Sequence, residues 1–354
     1  MKSEEGREEE RKKEKVNESS SSSSSTTTRP KWSFEENIDR RGTGSFKWEK
    51  WAKQADVIPM WVADGDMACP PCVSRAIIER CEKHAVFGYS TDTERLREAT
   101  VKWMTERHGW PAGAVKKEDL VFMPGVVSGM NMFMRGCCKA GDGHLVAVPA
   151  YPPFLWSPEL HGQVLQKYSL GRSGDGNGGN GRGNGDGNGC GGGEWKLDLK
   201  AMEEATTEKT RTMIICNPHN PTGHVFTAEE LQQMAQHCMK HNLIVLADEI
   251  WGDLVMKGHK HIPFAVSCKE AMEELRERTV TMFAPSKTFN IAGLGCSVAV
   301  IPNKELREKF EKGGQGVTPH VNAIGYVACE AAWSREGAMW LDDLMKHLSL
   351  IHIS

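Results

Sequence analysis

The segments Asn217-Pro218-His219-Asn220-Pro221-Thr222-Gly223, Ala247-Asp248-Glu249-Ile250 and Pro285-Ser286-Lys287-Thr288-Phe289-Asn290 carry, in that order, an amide, a carboxylate and a primary amine. A Lys amine can condense with an aldehyde to a Schiff base, and an Asp carboxylate can keep a pyridine nitrogen protonated. An Asn amide can donate to a phenolate oxygen on the same ring. Together the three read as a site for pyridoxal phosphate, whose ring draws electrons out of a bound amino acid. Each segment alone is weak, since Asn-Pro marks a turn, Asp-Glu ends many strands and Ser-Lys pairs are common. Their weight comes from order and spacing: 28 residues separate Asn220 from Asp248, and 39 separate Asp248 from Lys287.

The elements that must hold these residues follow from the apolar pattern. Apolar runs at 120–123, 145–148, 213–216, 244–247, 280–283 and 297–301 have the length of buried strands, and 229–241 and 304–311 have helical spacing. Such alternation predicts an α/β fold with a mainly parallel sheet flanked by helices, in which ligands collect beyond the carboxyl ends of the strands. Asn217, Asp248 and Ser286 all fall just past such ends. The turn Pro124-Gly125-Val126-Val127-Ser128-Gly129 follows the first run and opens a helix, where free amides and the helix dipole favour a phosphate.

Composition excludes several other classes. The 354 residues suffice for about two domains, and a net charge of -3 leaves no electrostatic footprint for nucleic acid. No run of about 18 apolar residues predicts a membrane span. Residues 1–30 are charged and then Ser/Thr-rich, without the apolar core of a secretory signal, and read as a disordered tail. A Gly/Asn/Asp-rich stretch at 171–193 is too polar to bury and reads as a surface loop insertion. Among the eleven cysteines, the Cys69/Cys72 pair lacks the further ligands of a structural zinc site, and no metal is assigned. The cysteines read as reduced thiols of a cytoplasmic protein.

These motifs resemble the fold type I superfamily of class I/II aminotransferases, whose hallmark order is the Asn-Pro-Thr-Gly turn, an Asp and then the Schiff-base Lys. Asp39-Arg40-Arg41-Gly42-Thr43-Gly44-Ser45, Ile58-Pro59-Met60-Trp61-Val62-Ala63-Asp64, Val86-Phe87-Gly88-Tyr89 and Ser286-Lys287-Thr288-Phe289-Asn290-Ile291 are similar to the MalY and PatB branch, which cleaves carbon–sulfur bonds. The resemblance covers roughly 34–340 apart from the insertion. It implies the three-layer architecture of that fold, pyridoxal 5'-phosphate as cofactor and a small amino acid as substrate. Lys287 would be the catalytic residue, forming the Schiff base and then acting as general base. Asn220, Asp248 and Ser286 would bind the cofactor, Val126 and Val127 would hold its phosphate by main-chain groups, and Tyr151 would stack on its ring. Tyr89 would reach across a homodimer interface into the neighbouring site.

Three positions depart from the family. Ala284 stands where relatives carry a hydroxyl for the phosphate, Gly295 where aspartate-type members have an Arg, and Gly65 where the branch has Met. The resemblance also divides the chain into an arm and small-domain segment at 31–80, a large cofactor-binding domain at 81–310, and the start of a C-terminal small α+β domain at 311–354. That last domain is expected to be truncated, because the Arg that grips the substrate carboxylate lies beyond this chain in relatives. Three functions remain open: a β-lyase acting on cystathionine or related cysteine conjugates, an aminotransferase, and a degenerate protein that keeps the fold and binds a partner.

Overall fold

The computed structural model describes residues 32–353 apart from 37, 55 and 174–192. The tail expected over 1–30 lies outside the described residues, as does all but the two ends of the insertion expected over 171–193. The elements all belong to the unit that begins at Phe34.

The strands are β1 (Leu120–Met123), β2 (Gly143–Val148), β3 (Val164–Ser169), β4 (Gly171–Arg172), β5 (Trp195–Lys196), β6 (Thr210–Cys216), β7 (Ile244–Asp248), β8 (Thr279–Phe283) and β9 (Ser297–Val300). Seven of them form one sheet in the order β1-β9-β8-β7-β6-β2-β3. The five from β8 to β3 are parallel, while β9 runs antiparallel to both its neighbours. The predicted mainly parallel α/β sheet is therefore present, with one antiparallel strand inside it. β4 and β5 form a separate antiparallel pair at the ends of the Gly-rich stretch.

Alternation along the strands produces three layers. Val146, Ile214, Leu246 and Met282 face one side, against the helices Val126–Cys137 and Lys304–Gly314. Leu145, Met213, Ile215 and Val245 face the other, against Met202, Leu231, Met234 and Cys238 of the helices Leu199–Ala205 and Ala228–Lys240. Each such side chain, removed from water, contributes about 1.5–3 kcal/mol. Local chemistry sets the helix starts. Thr227 and Glu230 form a reciprocal capping box, and Asn303 accepts the amide of Leu306.

The helix predicted over 304–311 continues through Gly314, and packing explains why. It crosses Val126–Cys137 so closely that a Cβ on Gly136 would collide with the Lys309 carbonyl oxygen, and one on Gly313 with that of Met132. Gly313 is thus a contact residue rather than a helix stop. Strand β3 was not expected. It is an edge strand, largely solvent-facing, with only Tyr168 buried, so it lacks an apolar run. Among the described residues, no helix is long and apolar enough to cross a membrane.

Candidate active site

The carboxyl ends of β2, β6, β7 and β8 open onto a cavity of about 690 Å³. Val126, Val127, Tyr151, Asn220, Asp248, Ser286 and Lys287 all line it, so five segments far apart in sequence meet at one place. Tyr89 does not line the cavity and is fully exposed in the single chain.

Asp248 is the last residue of β7 and is buried, its Oδ1 accepting the Ile250 amide at 3.1 Å. Burial pushes its pKa up to about 7; the Ile250 amide and the charge of Lys287 pull the other way. A carboxylate held so dry is suited to a cationic partner inside the cavity. Glu249 points elsewhere, accepting the Phe264 amide at 2.7 Å and pairing with His261 at 3.1 Å.

Lys287 lies on the turn after β8. Its Nζ donates to the Ala63 carbonyl at 3.2 Å and sits 5.8 Å from the centre of the Trp251 ring. Burial lowers its pKa, against the opposing charges of Asp64 and Asp248. The turn is anchored from behind, because Thr288 donates to Asp253 at 3.1 Å. Asp253 also accepts from Trp103 at 3.2 Å and meets His108 at 3.0 Å, all within the core. In front, the Asn290 side chain bonds the amide of Gly65 at 3.0 Å and the carbonyls of Gly65 and Met67 at 2.9 and 2.7 Å. Arg40 forks onto Asp64 at 2.9 and 3.0 Å and reaches Asp66 at 3.1 Å. The segment that carries the Ala63 carbonyl is thereby fastened to the lysine turn.

The helix Val126–Cys137 begins at the cavity with Gly125 as its N-cap and no side-chain cap. The amides of its first turn are therefore available to an anion. Ser128, Ser286 and Ser297 add hydroxyls to the lining, whereas Ala284 is buried and Gly295, at φ 55°, adds no charge. Lys287 is the one Lys, Arg or His among the described residues lining the cavity. A bound phosphate would be met by amides and hydroxyls rather than by a guanidinium. An amine, a dry carboxylate, an amide, an aromatic ring and an uncapped helix start, all on one cavity, fit pyridoxal phosphate.

Sequence reading missed Trp251, Cys216 and Phe46 on the lining and Asn290 as a clamp. Trp251 stands three residues beyond Asp248, which is a usable signal. The clamp spans 225 residues and had none. The ten described cysteines are free, and burial pushes those of Cys137 and Cys138 up to about 12.

Residues 57–346 match the family described as aminotransferase class I and II, and the chain belongs to that family. Within it, its kinship is with the MalY/PatB cystathionine beta-lyase branch. It is 35% identical over 325 residues to cystathionine beta-lyase PatB of Bacillus subtilis (strain 168), covering 89% of this chain and 76% of that one. Among solved structures, OvoB is 38% identical with a TM-score of 0.78, covering 90% of this chain and 77% of OvoB. The PLP-bound C-S lyase from Staphylococcus hominis is 29% identical with a TM-score of 0.76, covering 90% and 75%.

Proposed function

We propose that this chain is a pyridoxal phosphate-dependent carbon–sulfur β-lyase acting on cystathionine or related cysteine S-conjugates. The observation that carries the reading is the meeting of Lys287, Asp248, Asn220 and Tyr151 with an uncapped helix start on one cavity, in a chain akin to proteins named for this activity. When bound, pyridoxal phosphate supplies an aldehyde for the substrate amine and a ring that withdraws electrons from the α-carbon. Asp248 would hold the ring nitrogen's proton, Asn220 would donate to the ring oxygen and Tyr151 would pack on the ring face, since all three line the cavity. The amides of Val126 and Val127, with the Ser286 hydroxyl, would hold the phosphate.

Lys287 would hold the cofactor through its amine and, with that amine free, would take up the substrate's α-proton. Its lowered pKa leaves more of the amine free to act as a base near neutral pH. The electron pair left at the α-carbon forms the bond to the β-carbon as the carbon–sulfur pair departs with sulfur. Water then releases pyruvate and ammonia. An aminotransferase would need the same Lys and Asp, so the test is product identity. Purified, cofactor-loaded protein should form pyruvate from cystathionine without a keto-acid acceptor. Amino transfer to a keto acid with no pyruvate would overturn the lyase reading.

A homodimer belongs to the same proposal. Ile58 and Met60 in one segment and Val86, Phe87 and Tyr89 in another are each more than half exposed, large apolar side chains that a partner surface would cover. A second copy covering them would bring Tyr89 to the partner's cavity. Tyr89→Ala and Lys287→Ala chains, each impaired alone, should regain activity when mixed and refolded together, because one site of the mixed dimer keeps both residues. No gain on mixing, with dimers present by sedimentation, would remove Tyr89 from the site. Cytoplasmic residence is supported by the ten free cysteines, which suit a reducing compartment, and is checked by cell fractionation.

A further inference from the structure

At the far end of the sheet, two helix ends converge on a cluster that the lyase chemistry does not use. The helix Ala228–Lys240 runs back from the carboxyl end of β6 to the start of β7, so its last turn lies away from the cavity. That turn carries His237, and His241 follows as the C-cap. Glu203 comes from the last turn of the helix Leu199–Ala205. Both helices present carbonyl ends here, and a helix end of that kind favours a cation.

Hydrogen bonding places a proton on His237 Nε2. The Thr206 hydroxyl donates to the Met202 carbonyl at 2.8 Å, so at its 2.9 Å contact with His237 Nε2 it must accept, and the proton sits on Nε2. In the neutral ring, Nδ1 then carries a lone pair, and it faces Glu203 Oε2 at 3.0 Å. Two acceptors so close require a positive charge between them, either a second proton on the ring or a metal ion. His241 Nε2 completes the group at 3.3 Å from Glu203 Oε1 and 3.4 Å from Oε2. The three ligand atoms all lie within 4.8 Å of one another. A tetrahedral ion with bonds of about 2.05 Å sets its ligands about 3.3 Å apart, close to the His–Glu separations at both imidazoles.

We propose that Glu203, His237 and His241 form a binding site for a divalent transition metal of the zinc class, which pins the two helix ends together. Imidazole and carboxylate ligands suit that class, and Thr206 is the outer partner that orients His237. Lys240 donates to Glu203 Oε1 at 2.6 Å and is a competitor, occupying one carboxylate oxygen when no ion is bound. The site is independent of the lyase proposal, since none of its residues lines the cavity.

The test uses metal-stripped, full-length protein and zinc ion alone, with bound metal measured by equilibrium dialysis and stability by thermal unfolding. One zinc per chain should bind and raise the melting temperature. A Glu203→Gln/His241→Ala double variant, which alters only partly exposed side chains, should lose more than about a hundredfold in affinity together with the thermal gain, at unchanged circular dichroism. Lys240→Met should bind several-fold more tightly. Equal zinc retention by wild type and double variant would put the ion elsewhere, on the cysteines for instance, and overturn the proposal. So would absence of binding to the wild type, or weaker binding by Lys240→Met.

Discussion

Lys287→Ala should fold as the parent does, carry no cofactor that borohydride can fix to the chain, and lose activity by about four orders of magnitude or more. The first expectation follows from what the side chain does structurally. Its single hydrogen bond is to the Ala63 carbonyl, and the turn is held independently by Thr288 on Asp253 and Asn290 on Gly65 and Met67. The size of the loss follows from removing the attachment point and the base together, where base catalysis alone contributes about 10² to 10⁴. Circular dichroism, absorbance of the bound cofactor and mass measurement after reduction separate the possible outcomes. Reduction that labels another lysine of the parent protein would remove Lys287 from its assigned role.

Asp248→Asn should retain cofactor but lower the turnover rate by about 10² to 10³, the effect expected when charge stabilisation at a reacting centre is lost. A second signature appears in cofactor-free protein. Burial raises the folded-state pKa of Asp248 to about 7, against an ordinary value of 3.8. The folded chain therefore binds a proton that the unfolded chain has released over that interval. The stabilisation is complete below the unfolded value and is lost as pH rises toward 7, by roughly 4 kcal/mol. Urea unfolding at pH 5 and pH 8 should show the part of this loss that falls above pH 5, roughly 3 kcal/mol, in the parent and not in Asp248→Asn. A cationic ring beside the carboxylate would reverse the penalty, so cofactor should stabilise the parent more at pH 8 than at pH 5. Parallel pH profiles for parent and variant would remove Asp248 as the source.

The parts of this site that could be read from sequence share a physical reason. Parallel strands are buried on both faces, so β6, β7 and β8 stand out as apolar runs, and the residues that end them fall at the mouth of the sheet. Asn220, Asp248 and Lys287 were visible through that rule and through family resemblance. Strand starts were less visible: β6 opens with Thr210-Arg211-Thr212, whose polar side chains hid its first three residues. The polar edge strand β3 lacked any signal. Phe46 reaches the cavity through tertiary placement alone. So does the fastening of Ala63 to the lysine turn, which depends on Asn290 adopting a left-handed backbone at φ 56° and bonding a segment more than two hundred residues earlier.

The Gly136–Gly313 crossing has a bearing on how an anion would be held. A helix whose backbone touches that of its neighbour cannot rotate or slide without steric conflict, so the first turn of Val126–Cys137 keeps its amides aimed at the cavity before any ligand arrives. Preorganisation of that sort spares the encounter an ordering cost. It offers a way for a pocket without an arginine to grip a doubly charged group: the rigidity of two interlocked rods stands in for a guanidinium.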